Sequence, residues 1–97
     1  MTQVTIPLDA VASQKVSLQL ASQSCRIEVY QKRTGLYFNL FVNDAPVVYG
    51  VLCRDRVWIV RGSWQGFTGD LAFIDTQGRS DPEYAGLGSR FLLVWEG

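Results

Sequence analysis

The stretch 24-SCRIEVYQKRTGLYFNLFVN-43 decides the fold, because apolar and polar residues alternate along both of its halves. A period of two is typical of a β-strand with one buried face. The apolar positions that we expect to share the buried face are Cys25, Ile27, Val29, Leu36, Phe38, Leu40 and Val42. The opposite face then carries Arg26, Glu28, Tyr30, Tyr37, Asn39 and Phe41. The stretch therefore predicts two strands, over residues 24–32 and 36–43.

The Thr-Gly pair at 34–35 predicts that these two strands form a hairpin. If the chain turns there, Val29 faces Leu40 and Ile27 faces Val42, so the two apolar faces agree in register. Threonine is unfavourable at a positive φ, and we therefore expect a loop longer than two residues with the glycine in the left-handed conformation.

Shorter apolar segments on either side predict the rest of the sheet structure. The predicted strands outside the hairpin are residues 14–20, 47–52, 57–60, 71–75 and 91–95. Gly50 marks a bulge or bend in the second of these, and the last is apolar on both faces and so is expected to be buried on both. About seven short strands at close spacing predict a single all-β domain over residues 1–97, a small antiparallel β-barrel or β-sandwich.

Length, charge and composition limit the classes of protein. The 97 residues suffice for one compact domain and not for two. Nine basic and nine acidic residues cancel, which argues against duplex DNA as the main partner, because phosphate neutralisation drives that affinity. No apolar run approaches the ~20 residues of a membrane span, and the first residues lack a signal peptide pattern. We therefore expect a protein made and kept in a cytoplasm, with no membrane partner.

Reactive groups are few, and we predict neither catalysis nor a cofactor or metal. The chain has no histidine, which removes the commonest general base and most zinc sites. Cys25 and Cys53 do not match a metal or redox motif in their spacing, and we expect free thiols, with one disulfide as the alternative in an oxidising setting. The carboxylates fall in turns or on faces predicted to meet solvent, so paired-carboxylate chemistry is not indicated.

The stretch 54-RDRVWIVRGSWQG-66 mixes arginines with tryptophans and permits three interpretations. It is a core strand with solvated arginines, a protein interface, or a surface for single-stranded nucleic acid. Arginine and tryptophan are enriched at interface hot spots, and the aromatic outer face of the hairpin also calls for a covering surface. The residues predicted to contact a protein partner are Tyr30, Tyr37, Phe41, Arg54, Arg56, Trp58, Arg61 and Trp64.

Five segments, taken in order and spacing, resemble the baseplate plug proteins of contractile-tailed bacteriophages. They are TIPL at 5–8, RIEVYQKRTGLYFNLFVNDAPVVYGVLC at 26–53, VWIV at 57–60, GDLAFID at 69–75 and DPEYAGLGSRFLLVWE at 81–96. The resemblance runs nearly end to end and includes an opening strand at TIPL. It departs from the family near Arg56, where family members often have a glycine and are more acidic.

The resemblance implies a structural role in the virion. Such proteins sit inside the baseplate hub above the spike, close the lumen of the tail tube and touch the tape-measure protein. They are expelled or displaced on contraction. The resemblance thus implies hub, spike and tape-measure proteins as partners, in one or three copies per tail, after synthesis in the host cytoplasm.

Two other functions remain open from the residues alone. One is a small OB-like β module that binds single-stranded nucleic acid, for which steep salt dependence of binding is the expected signature. The other is an interaction domain with no connection to a virus.

Overall fold

The computed structural model describes residues 3–20, 22–61 and 69–97, which form seven β-strands. The strands are β1 (Gln3–Ile6), β2 (Ser13–Leu20), β3 (Gln23–Lys32), β4 (Gly35–Val42), β5 (Ala45–Leu52), β6 (Asp70–Asp75) and β7 (Phe91–Glu96). A four-stranded sheet has the order β2-β3-β4-β5 and a three-stranded sheet the order β1-β7-β6, with antiparallel neighbours throughout. A 3-10 turn at Tyr84–Gly86 precedes β7, and no helix in the described ranges is long and apolar enough to cross a membrane.

The two sheets enclose one core, which confirms the all-β prediction. Phe38 of β4 and Phe73 of β6 meet edge to face at its centre, with ring centroids 6.3 Å apart. The apolar positions predicted for the hairpin are all buried, as are Leu71 and Leu93 on the other sheet. No pairing among residues 3–20, 22–61 and 69–97 closes the sheets into a barrel, so of the two predicted architectures the chain adopts the sandwich.

The hairpin has the predicted faces but a register two residues away from the predicted one. Ile27 pairs with Leu40, and Val29 pairs with Phe38. The predicted register was wrong because the loop has only two residues, 33–34, and neither of them has a positive φ. Gly35 has the positive φ that was predicted for it, at 146°, but it begins β4 and lies outside the loop; a Cβ there would lie 2.7 Å from the Leu52 side chain. An even shift leaves each side chain on its face, so the core is unchanged.

The bend predicted at Gly50 is a β-bulge in β5. Leu40 pairs with Val48 and Phe38 with Val51, so β5 has one residue more than β4 between these two pairs. Gly50 takes a φ of 67°, which glycine adopts without strain. The extra residue turns the strand and points Tyr49 away from the core, leaving 71% of it exposed.

Residues 57–60 do not form the predicted strand. The segment 54–61 instead follows the free edge of β6 through isolated contacts: Asp55 bridges Phe73 in parallel, and the Ile59 amide donates to the Leu71 carbonyl at 2.8 Å. Arg56 and Arg61 have φ values of 56° and 62°, and this left-handed backbone interrupts a regular ladder. The segment is buried only in its second half: Ile59 and Val60 lie in the core, whereas Trp58 is exposed.

Strand β7 is buried on one face and half-buried on the other, so the prediction of burial on both faces was wrong. Its inner side chains lie in the core, whereas Leu92 and Val94 face outward. Strand β1, which only the resemblance had implied, pairs with β7 from Gln3 opposite Glu96 to Ile6 opposite Leu93.

The loop between β6 and β7 is held by an ion pair between the half-buried Arg90 and the buried Asp75. The Arg90 guanidinium donates to both carboxylate oxygens of Asp75 at 2.9 Å, and the backbone amides of Gln77 and Ser80 donate to the same oxygens. The Asp75 side chain is fully buried. Hydrogen bonds from Arg90 and these amides hold the pKa of the Asp75 carboxyl well below its usual range, against the opposing effect of burial.

We expect this carboxylate to make the fold acid-sensitive. Because the pKa of Asp75 is lower in the folded than in the unfolded chain, its contribution to stability is complete at neutral pH and is lost as the pH falls below about 4. Asp75→Asn should lower the melting temperature at pH 7 and flatten its fall in acid, as measured by circular dichroism. Asp9→Asn, at an exposed carboxylate, is the control, and an unchanged acid dependence in Asp75→Asn would contradict the assignment.

Candidate protein-interaction surfaces

The structure divides the predicted contact residues between two opposite surfaces. Tyr30, Tyr37 and Phe41 lie on the outer side of the four-stranded sheet, which with Tyr49 we call the aromatic face. Arg56 and Trp58 lie on the outer side of the three-stranded sheet. From the sequence, the aromatic face of the hairpin suggested a covered surface besides the arginine–tryptophan stretch, and the sandwich places these two surfaces on opposite sides.

One end of the aromatic face is a stacked tyrosine pair. Tyr30 and Tyr37 are direct cross-strand partners, and their rings lie 5.9 Å apart at an angle of 19°. The Lys32 ammonium lies 5.4 and 5.3 Å from the two ring centroids, within the range of a cation–π contact. The Tyr37 hydroxyl is 2.6 Å from the Thr34 hydroxyl. Both rings are therefore fixed by the protein itself.

The other end of the aromatic face is built on Phe41. The Arg26 guanidinium lies 4.3 Å from the centre of the Phe41 ring, and Tyr49 meets this ring edge to face at 6.2 Å. Arg26 also donates to Asp44 at 3.1 Å and lies 3.6 Å from Glu28. Arg26 is thus held between an aromatic ring and two carboxylates, and Tyr49 remains the exposed member of the group.

Between the two aromatic ends lies a polar row centred on Asn39, which is only 3% exposed. The Asn39 amide donates to Glu28 at 3.0 Å and its oxygen accepts from the Gly50 backbone amide at 2.7 Å. The same oxygen accepts a longer bond of 3.4 Å from the Tyr30 hydroxyl, whose pKa is raised by burial. Asn39 therefore ties β3, β4 and the bulge of β5 together.

The ring contacts argue against nucleic acid as the ligand of the aromatic face. Single-strand binders offer open ring faces on which bases stack. Here Arg26 lies over Phe41, and Lys32 lies near both stacked tyrosine rings. A base would have to displace these cations, whereas a protein partner can contact the ring edges and hydroxyls as they stand.

The second surface is a shallow cavity of about 210 Å³ beside Trp58, which we call the tryptophan groove. Trp58 is 45% exposed. Besides Arg56 and Trp58, the groove is lined by three apolar and two polar side chains, which are Ala72, Ile74, Val94, Gln3 and Glu96. Aromatic and arginine side chains beside an apolar depression are typical of a protein contact.

Hydrogen bonds between side chains and backbone groups position the segment that carries the groove. Arg56 donates to the carbonyls of Asp75 and Gly78, each at 3.2 Å. The Asp70 carboxylate accepts from the amides of Val60 and Arg61, each at 2.8 Å. The tryptophan groove is therefore anchored on both sides of Trp58.

The remaining predicted contact residues have different places. Arg54 is exposed. Arg61 is exposed and donates from Nε to the Trp58 carbonyl at 2.9 Å. Trp64 lies outside the described residues.

Tyr49 is the surface residue that sequence reasoning missed. An alternating pattern assigns a face to each residue of a strand, and one extra residue reverses that assignment beyond the bulge. Gly50 signalled the bulge, but the pattern alone did not indicate which neighbour it would turn outward. The structure shows that this neighbour is Tyr49.

The thiols do not suggest reactivity. Cys25 and Cys53 are separate and buried, and burial raises the pKa of each above its usual value. A reactive cysteine needs the opposite shift, toward the thiolate. Within the described ranges, no three residues among histidine, cysteine, aspartate and glutamate form a group that could hold a metal ion.

A family model described as cyanophage baseplate Pam3 plug gp18 matches residues 3–97. No curated protein matches the chain.

Arg56, near which the sequence departs from the pattern of the family, has a φ of 56°, a left-handed conformation that glycine adopts without strain. Arg56→Ala and Arg56→Gly both remove the side-chain hydrogen bonds, but only glycine removes the strain of a left-handed backbone. We expect Arg56→Gly to be more stable than Arg56→Ala by about 1 kcal/mol in urea unfolding. Equal stabilities would contradict the strained conformation.

Asn39→Ala tests the polar row. The change leaves the Gly50 amide without its 2.7 Å partner and takes the amide donor from Glu28, so we expect a loss of about 1–3 kcal/mol in the free energy of unfolding. Gln19→Ala, at an exposed outer position of β2, is the matched control. A loss no greater than that of the control would show that Asn39 does not hold the bulge.

Proposed function

The chain belongs to the family of cyanophage baseplate plugs, and from this premise we propose that it closes the lumen of a contractile tail tube until the sheath fires. Family membership makes it a structural protein of the phage tail baseplate that associates with other baseplate components. The proposal adds where it sits, above the spike within the hub, and that it is displaced on contraction.

The observation that carries the proposal is the family match over residues 3–97, and the two opposite surfaces support it. A body that closes a tube needs contacts on more than one side. The aromatic face and the tryptophan groove lie on the outer sides of different sheets, in a molecule of 30 × 26 × 20 Å. Each surface can therefore meet a different partner, for which we propose the hub, the spike and the end of the tape-measure protein.

The proposed contact residues are those predicted from the sequence, now assigned to surfaces. Tyr30, Tyr37 and Phe41 support the aromatic face, and Arg56 and Trp58 form the tryptophan groove. Arg54 and Arg61 are exposed on the segment that carries the groove, and Trp64 is retained as a contact from the sequence alone.

Release on contraction requires contacts that can break. Aromatic edges, guanidinium groups and ion pairs on an exposed face supply noncovalent contacts, and the two cysteines are buried, out of reach of a partner's thiol. The proposed role needs no catalysis, because mechanical displacement by the contracting tail provides the work.

The proposal predicts that the protein is present in extended tails and depleted from contracted tails. Quantitative mass spectrometry of purified tails, before and after triggered contraction, measures the amount of this chain relative to a sheath protein. The same ratio in extended tails distinguishes one copy from three. Equal amounts in both states would contradict displacement, and absence from extended tails would contradict the plug itself.

A further inference from the structure

We infer that Tyr49 is the anchor with which the aromatic face binds an acidic surface of a baseplate partner. This inference rests on the proposed function and gives the chemistry of one of its contacts. It concerns a residue outside the set that the sequence had indicated.

The bulge presents Tyr49 in a fixed position. The backbone amide of Gly50, the next residue, is bound by the buried Asn39 at 2.7 Å, and Gly50 itself takes the positive φ that the bulge requires. The turned strand leaves Tyr49 with 71% of its surface exposed. A buried polar side chain and a strand irregularity thus combine to direct one large aromatic side chain outward.

Tyr49 has the surroundings of an interface hot spot. Its ring rests edge to face against Phe41, which is itself packed under Arg26. Such support limits the freedom that the ring loses on binding, and tyrosine contributes a large contact area with few rotatable bonds. Hot spots are enriched in this residue type.

The charge distribution indicates an acidic partner. Between Ser13 and Leu52, which form the four-stranded sheet, there are four basic and two acidic residues, whereas the rest of the chain has five basic and seven acidic residues. The two acidic residues lie beside two of the four basic ones, since Asp44 pairs with Arg26 and Glu28 lies near Lys15 and Arg26, which leaves Lys32 and Arg33 as the excess. The excess is positive, so complementarity favours a partner surface that carries carboxylates.

A competition experiment tests the anchor in the intact tail. Cells infected with the phage produce the wild-type chain and one variant together, and mass spectrometry measures the ratio of the two in purified tails. We expect Tyr49→Ala to be incorporated about tenfold less than wild type, and Tyr49→Phe, which keeps the ring, to compete almost equally. Tyr84→Ala, at a tyrosine that is 40% exposed outside the aromatic face, is the control for removal of a surface ring.

A second pair of variants tests the charge. Arg33→Glu reverses an exposed charge at the turn of the β3–β4 hairpin, and Arg79→Glu makes the same change in the loop after β6. An acidic partner predicts reduced incorporation for Arg33→Glu and unchanged incorporation for Arg79→Glu. Equal behaviour of the two variants would overturn the acidic partner.

The outcomes separate this inference from the proposed function. If the wild-type chain is found in tails and Tyr49→Ala competes equally, the anchor is overturned and the baseplate role stands. If the wild-type chain is missing from tails, the proposed function fails. Binding of the purified protein to a single-stranded oligonucleotide, or to itself, that is lost in Tyr49→Ala overturns the acidic protein partner in favour of that occupant. The melting temperature of Tyr49→Ala, expected to match wild type, shows that folding is not the cause.

Discussion

The packing of the β3–β4 hairpin against the opposite sheet is the interaction on which the rest of the molecule depends. Its inner side chains are nearly solvent-free, and Phe38 reaches across the core to meet Phe73 edge to face at 6.3 Å. Aromatic pairs of this kind contribute about 0.5–1.5 kcal/mol beyond the area that they bury. This shared core buries the inner faces of both sheets against each other and leaves both outer faces available for partners.

Two buried polar residues, Asn39 and Asp75, each support one of these outer surfaces. Asn39 binds the bulge that turns Tyr49 outward on the aromatic face. Asp75 holds the β6–β7 loop through Arg90, and its carbonyl accepts from Arg56 beside the tryptophan groove. Burying a polar group is costly unless it is fully hydrogen-bonded. The Asn39 and Asp75 side chains are hydrogen-bonded, and their bonds fix the segments that carry Tyr49 and Trp58.

The sequence predicted which face of the hairpin each side chain lies on. It missed the features that depend on local backbone conformation. Alternation identified which side chains of the hairpin are buried, because a shift of two residues leaves every face unchanged. It could not fix the register, which the two-residue loop at 33–34 determines. It also assigned residues 57–60 to a strand on the strength of their β-branched and aromatic content. The left-handed conformations of Arg56 and Arg61, which no pattern of hydrophobicity reveals, prevent that strand.

The same limit applies to the candidate surfaces. Residue type indicated aromatic and arginine positions as candidates for contact, which stays a prediction, and the aromatic hairpin face suggested a second covered surface. Sequence distance gave no sign that the two surfaces belong to opposite sides of a sandwich. Tyr49 was missed because a bulge changes the face of the residues beside it. Both thiols and the Asp75 carboxylate are buried, and the candidate contacts on the described surface are aromatic and guanidinium groups, in keeping with a structural component of a baseplate.

A cryo-electron microscopy reconstruction of the baseplate in extended tails tests most directly whether the chain is a plug with contacts on both sides. If the chain acts as a two-sided wedge, it lies on the tail axis with the aromatic face and the tryptophan groove covered by different neighbouring proteins. A reconstruction in which the chain is absent from the axis, or in which both surfaces face open solvent, would contradict that role.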